Sequence, residues 1–517
     1  MRAVLICSSI LLALTQADKI VFDTGLPSLN DTRAKVVFAG MHGSTSHVIT
    51  MMPLATRINK DNHYVHFLQS DSVPKPFNYP EPIAYTYVKF NDDPEFYKRV
   101  FSKIWKVEYG PNDFVYMWRS SNEALRGMLQ LHPEKVDKFF NSSWDFVVAD
   151  ELFAIPAYGI ALKQKNKGVH YGIMGTCATM HLFRTHLSYG SNWIHRPSFY
   201  TPIQRRFDMN VFSHRLHAFL HGLWITVGVT LDTKLTAASN LPLIGVHSNS
   251  VVQEFVSKSS YIFVDALNSL VWPHPIGNDA IHVSYDCPRT KCLDEEYRSF
   301  MEDPKSKGTI MIAFGSNVRW EYATPHVFEA FKEGINRLSD YRIVFSFNGK
   351  MEQVRGIGSH CKITRWAPQK EILSHNSTRV FLSHGGMKSV KDAVCAEVPV
   401  VFMPVFAEQA HNSEMIRTAG FAKVLDKHTL TADDFVHSLL SVMHNPEYKK
   451  QAVRFKSVMV DQPISSLDLT AFAAGRAIRQ KGKEIMFRRK GIDLSMETYC
   501  YFDLISVIIG VFVISMS

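Results

Sequence analysis

Apolar residues along this chain gather into short continuous runs separated by spacers of helical length. In the first half the runs are "AKVVFAG" (Ala34 to Gly40), "HYVHFLQS" (His63 to Ser70) and "WDFVVADE" (Trp144 to Glu151). In the second half they are "TIMIAFGS" (Thr309 to Ser316), "YRIVFSFNG" (Tyr341 to Gly349), "TRVFLSHGG" (Thr378 to Gly386) and "VPVVFMPV" (Val398 to Val405). A run apolar at every position suits a strand covered on both faces, and a spacer such as "VITMMPLATRINK" reads as the covering helix. The pattern predicts an α/β fold with two doubly wound parallel-sheet domains. The polar stretch between them, "YDCPRTKCLDEEYRSFMEDPKSKG", reads as a bridge. The expected layout is a leader at 1–17, a first domain at 18–285, a linker at 286–308, a second domain at 309–480 and a tail at 481–517.

Composition changes this picture little. With 57 Lys and Arg against 48 Asp and Glu, the net charge is +9 over 517 residues. Much of the excess lies in "RAIRQKGKEIMFRRK" (Arg476 to Lys490), which reads as a solvated helix face. No aromatic-interleaved basic motif accompanies it, so nucleic acid is not an expected partner.

The termini say more. "MRAVLICSSILLALTQAD" has the basic start, apolar centre and small residues of a secretory signal peptide. Sequons at Asn30, Asn141 and Asn376 are glycosylation candidates for a lumenal protein, with the endoplasmic reticulum as the expected site. Cys287 and Cys292 are close enough in sequence to pair, and two free thiols are the equal alternative. The apolar end, Leu504 to Ser517, falls short of the ~20 residues a membrane span needs. Membrane association through this segment and homo-oligomerisation both stay open.

Candidate chemistry sits where strands end, since ligands of doubly wound sheets bind at the carboxyl ends of strands. In the second half those positions hold Ser316, Trp366, Gln369, His384, Gly385, Gly386, Ser389, Asp392, Glu408 and Gln409. A flat aromatic can stack a base, amide and carboxylate side chains can bond ribose, and a Gly-Gly bend can bring backbone amides against a diphosphate. The set has the logic of a nucleotide-sugar site. A rival set, His214, His217 and His221, has helical spacing that suits a metal, but no carboxylate or cysteine completes it, so no metal site is expected.

The stretch from Trp366 to Asn412, "WAPQKEILSHNSTRVFLSHGGMKSVKDAVCAEVPVVFMPVFAEQAHN", resembles the signature of the UDP-glycosyltransferases, the superfamily that includes the UDP-glucuronosyltransferases. Fainter resemblance covers "AFGS", "RPSFYTP", "VVADE" and "LDLTAFAAGRAIRQKGK". The resemblance implies a GT-B fold, two Rossmann-like domains facing across a cleft, with donor in the second and acceptor in the first.

By that resemblance Trp366 stacks on uracil, Ala367 bonds its edge, and Gln369 and Asp392 reach ribose. His384, Gly386, Ser389 and Ser316 hold the diphosphate; Glu408 and Gln409 bond the sugar. Asp392 stands where many members have Glu. Met387 and Lys388 stand where members carry Asn or a small residue, and Lys388 is expected to add positive charge near phosphate.

Two histidines of "MHGSTSHVIT" compete as base, His42 and His47. His47 fits the family's position, with Asp150 as its carboxylate partner. Glu151, next along, points the other way if the strand continues. The resemblance further implies UDP-glucuronate or UDP-glucose as co-substrate with no other cofactor, inversion at the anomeric carbon, and a small lipophilic hydroxyl compound as acceptor. The aromatic-rich stretch from His181 to Trp224 is the expected acceptor wall. Two alternatives fit the residues less well. A non-catalytic UDP-sugar-binding protein would keep the fold and lose the base, and a nicotinamide oxidoreductase would need a Gly-x-Gly-x-x-Gly that no strand here supplies.

Overall fold

A computed structural model describes residues 21–28, 30–71, 76–89, 94–108, 111–177, 181–190, 197, 206–486, 488–499 and 501–516. The leader and most of "NWIHRPSFYTP" lie outside these residues.

Each apolar run forms a strand, and the strands fall into two sheets. The first holds β1 (Val21–Asp23), β2 (Lys35–Ala39), β3 (Tyr64–Asp71), β4 (Ala84–Lys89), β5 (Phe146–Asp150), β6 (His170–Gly175), β7 (Tyr261–Val264) and β8 (Ala280–His282). Its order is β1-β4-β3-β2-β5-β6-β7-β8, parallel throughout except for β1, which runs antiparallel to β4. The second holds β9 (Thr309–Ala313), β10 (Arg342–Ser346), β11 (Cys361–Thr364), β12 (Thr378–Ser383), β13 (Val400–Phe402) and β14 (Ala422–Val424), in the all-parallel order β11-β10-β9-β12-β13-β14.

Both orders reverse once about a central pair, β2/β5 in the first sheet and β9/β12 in the second. At such a reversal, successive crossovers leave on opposite faces and a crevice opens above the strand ends. The register puts Ala39 beside Ala149 and Ala313 beside Ser383, so the loops after each central pair start side by side. Covering helices bury the strands: β5 and β9 are buried along their whole length.

The helices that matter for the site are α1 (Thr45–Lys60), α2 (Pro94–Lys106), α3 (Phe212–Asp232), α4 (Gln369–Leu373), α5 (Met387–Cys395), α6 (Gln409–Thr418), α7 (Ser466–Arg479) and α8 (Phe502–Met516). Two of them pack on the opposite half. From α2, Trp105 enters the second half's core beside Trp320, ring centres 5.2 Å apart, and its Nε1 donates to the Arg319 carbonyl at 2.9 Å. Beneath it the buried Lys427 ammonium donates to the carbonyls of Ile104 and Val405 at 2.7 and 2.6 Å. In return α7 buries Ala471, Ala473, Ala474 and Ala477 in the first half's core, with Arg57 bonded to Asp468 at 2.6 Å. Asp286 receives the start of α7 through Ser466 Oγ and the Leu467 amide, at 2.6 and 2.8 Å.

Cys287 and Cys292 do not pair with each other. Cys287 bonds Cys395, 108 residues away at the end of α5, and Cys292 is an exposed free thiol. Cys287 sits where the chain leaves the first sheet and meets α5 of the second half, a proximity no local spacing reveals. No helix among the described residues is long and apolar enough to cross a membrane. The terminal helix α8 is nonetheless apolar along most of its length, with Ile508, Phe512 and Ile514 exposed.

Candidate active site

His47 is the third residue of α1, directly above the first switch point. Its Nδ1 lies 2.7 Å from Asp150 Oδ2, with His47 7% and Asp150 0% exposed. Asp150 closes β5, and backbone amides fix its carboxylate: Met41 N donates to Oδ2 at 3.2 Å and Leu152 N to Oδ1 at 3.0 Å. A carboxylate accepts only, so Nδ1 carries the hydrogen and Nε2 keeps its lone pair. Thr176 Oγ1 completes the cluster, 2.9 Å from His47 Nδ1 and 3.4 Å from Asp150 Oδ1. The sequence reading missed Thr176. It follows β6, the strand next to β5, so the strand-end rule applied to the first half points at it.

The other two candidates here differ. His42 pairs with Ser70, Nδ1 to Oγ 2.9 Å. Glu151 is wholly buried, its carboxyl oxygens have no hydrogen-bond partner and lie over Gly175. Burial, with Asp150 adjacent, raises its pKa well above the usual carboxylate range.

At the second switch point the bend after β12 is built around His384. Gly315 (φ +67°) and Gly386 press on this ring; a Cβ on either would stand 2.9 or 2.6 Å from Nε2. Gly385 has φ +90°, where side chains are strained, and a Cβ there would meet Ser413 Oγ at 2.6 Å and the Gln409 carbonyl at 2.8 Å. The bend therefore requires its glycines. Burial depresses the His384 pKa to about 4, so the ring is neutral near pH 7. Above it, α5 starts at Met387 and aims its first amides at the crevice, the arrangement that receives an anion.

Trp366 stands 74% exposed beside this crevice, after β11, while Ala367 behind it is buried. At that exposure the indole is no part of the core, and its ring face is open. Gln369 opens α4 and donates to Asp392 Oδ2 at 2.8 Å and Ser389 Oγ at 3.3 Å, so these three form one polar patch. Burial raises the Asp392 pKa. Ser316 is exposed after β9.

Gln409, expected to bond the sugar, opens α6. Its Oε1 accepts from the amides of Val405 and Phe406 at 2.9 and 3.1 Å, so the acceptor end is committed to its own loop. Glu408, just before α6, lies near Cys177 and His47 of the first half, and burial raises its pKa. Met387 is buried in the core, and Lys388 bonds Asp265 at 2.8 Å.

Away from the cleft, His217 and His221 lie with ring centres 4.0 Å apart on α3, while His214 accepts from the Asp208 amide at 3.0 Å. Among the described residues no three His, Cys, Asp or Glu side chains converge as a metal site. The expected acceptor wall is described only in part, since 191–196 and 198–205 lie outside the described residues.

Two doubly wound domains with a switch-point crevice in each make up the GT-B architecture. Solved structures agree on the fold. The glycosyltransferase of kitacinnamycin aligns over 86% of this chain and 100% of its own, with TM-score 0.57 and 14% identity. Phytolacca americana UGT2, solved with UDP-2-fluoro-glucose and pterostilbene, aligns over 86% of this chain and 100% of its own at 15% identity and TM-score 0.54. Residues 136–517 match the UDP-glucoronosyl and UDP-glucosyl transferase family, and the chain belongs to it. Among curated relatives, UDP-glucuronosyltransferase 1-2 of Mus musculus is 23% identical over 495 residues, 92% of this chain and 88% of the relative. UDP-glucuronosyltransferase 2B33 of Macaca mulatta is 23% identical over 402 residues, 76% and 73% of the two chains. The chain is therefore a glycosyltransferase enzyme with a UDP-sugar as co-substrate.

Proposed function

We propose that the enzyme transfers a hexosyl group, glucuronate or glucose, from its UDP-sugar to a hydroxyl of a small lipophilic acceptor with inversion at the anomeric carbon. The observation that carries this reading is the 2.7 Å bond between His47 and Asp150 at the edge of the cleft.

In this mechanism Nε2 of His47 takes the acceptor's hydroxyl proton as its oxygen attacks the anomeric carbon from the face opposite UDP. Asp150 holds the ring in the tautomer that leaves Nε2 free, and stabilises the imidazolium that forms. The departing diphosphate gathers charge at the bend of residues 384–386, where the first amides of α5 and Ser389 receive it. Trp366 lies flat on uracil and the Gln369–Asp392 patch meets the ribose. Glu408 accepts from a sugar hydroxyl beside the base.

We assign the enzyme to the secretory pathway, with the lumen of the endoplasmic reticulum as its site. The Cys287–Cys395 disulfide fits an oxidising compartment, and Asn30, Asn141 and Asn376 are all exposed for glycosylation. Exposed, apolar α8 then associates with a membrane.

A UDP-release assay with UDP-glucuronate and UDP-glucose against a panel of phenols and sterols tests the reading. Acceptor-dependent release with one donor supports it; no release with either donor over the whole panel contradicts it.

A further inference from the structure

Lys388 and Lys391 lie in the first half of α5, the helix whose N-terminus faces the crevice. Both reach out of the donor half to one carboxylate of the other half, Asp265, which follows β7: Lys388 Nζ to Oδ2 is 2.8 Å and Lys391 Nζ to Oδ1 is 3.4 Å. Asp265 is 2% exposed, and the Lys391 side chain 16%.

Burying these charges is costly, and a buried ion pair is a poor source of stability unless its geometry returns the desolvation. Asp392 of α5 also lies near both lysines, so the cluster sets two cations against two carboxylates, one from each half. Burial alone would raise the Asp265 pKa, yet the two lysines hold it below its usual range, so it stays ionised. The same segment makes a second cross-cleft contact. Asn268 Nδ2 lies 2.7 Å from His411 Nε2 on α6, and Trp272 packs on that ring with centres 4.9 Å apart. Residues 265–272 of the acceptor half therefore seat on both donor-side helices.

We propose that Asp265 is a positioning residue for transfer: it draws α5 toward the acceptor half, holding the anomeric carbon under His47, and keeps two ammonium groups off the diphosphate so that UDP can leave. The proposal rests on the donor site described above. It gives Lys388 and Lys391 a task that the resemblance does not supply, because members carry Asn or a small residue at position 388.

The inference sets two effects in opposite directions, which a merely structural ion pair would not do. Asp265→Asn frees the lysines beside the phosphate site and loosens the clasp. UDP, titrated calorimetrically, should bind about three- to tenfold tighter, more so at low salt. Turnover with the active donor should fall about tenfold or more, from misplacement of the reacting centres. Asp265→Glu should restore most of that turnover. Lys388→Gln, on a half-exposed side chain, should lower turnover without tightening UDP, and adding it to Asp265→Asn should cancel most of the gain in affinity.

Parallel loss of UDP affinity and turnover in Asp265→Asn, or no change in either, would overturn the inference. If Asp265→Asn does not fold, Lys388→Gln decides alone: unchanged turnover rejects the clasp. Failure of the unaltered enzyme to bind UDP would instead refute the donor-site reading.

Discussion

At the first switch point His47, Asp150 and Thr176 satisfy one another beneath the surface, whereas at the second Trp366 stands in solvent beside open helix amides. Strand order alone does not account for the contrast, since both sheets reverse about a central pair in the same way. Under the proposed function the difference follows from what each site would have to do. A base must hold its tautomer before the acceptor arrives, so its partners are built in and dry. A nucleotide site presents surfaces that only a ligand can complete, a bare ring face and a row of unpaired amides. Preorganised polarity marks the acceptor half, and readiness for an anion marks the donor half.

The sharpest way to break this contrast is at the carboxylate. Asp150→Asn keeps the shape but lets the amide donate to Nδ1 and invert the tautomer. Turnover should fall by about 10²–10⁴ with UDP binding unchanged. A loss below tenfold in steady-state UDP release would show that the dry cluster is structural.

Trp366→Ala probes the other side. Stacking of a base on an aromatic ring is worth about 1–3 kcal/mol, so UDP affinity should drop roughly ten- to a hundredfold in titration. Stability should move by no more than about 0.5 kcal/mol, since the indole is exposed. A large drop in melting temperature would mean that the ring packs.

Acid sharpens the comparison more gently. Burial holds His66, His186 and His282 of the first half, and His384 of the second, at about 4, against the ordinary 6.5. Between those values the unfolded chain binds more protons than the folded one, so stability rises with pH and is lost on acidification. Each histidine accounts for about 2 kcal/mol at pH 5 relative to pH 7. The first half should therefore open first on acidification, which hydrogen exchange resolved by segment can follow. Equal protection of both halves down to pH 5 would contradict this.

Much of this fold was legible because a buried parallel strand needs an uninterrupted apolar run. The runs at Val36–Ala39, Phe146–Ala149 and Val380–Ser383 show it plainly, each wholly buried. From these the strand ends, and with them His47, Asp150 and the bend of residues 384–386, can be located. What stayed hidden depends on distant packing. Cys287 meets Cys395 and Lys388 meets Asp265 only after the halves come together. Trp105 and α7 cross to the opposite half for the same reason, as their amphipathic patterns say which face is apolar but not which core receives it. Thr176 was overlooked because a threonine after a strand has no distinctive chemistry until a histidine and a carboxylate surround it.

The central claim is that His47 removes the acceptor's proton while taking no part in holding the donor. Turnover and UDP titration on His47→Ala, measured on one preparation, address it most directly. The account predicts acceptor-dependent UDP release reduced by about 10²–10⁴, with UDP affinity within about twofold of the unaltered enzyme. Near-normal release from that variant, or release and UDP binding lost together, would contradict it.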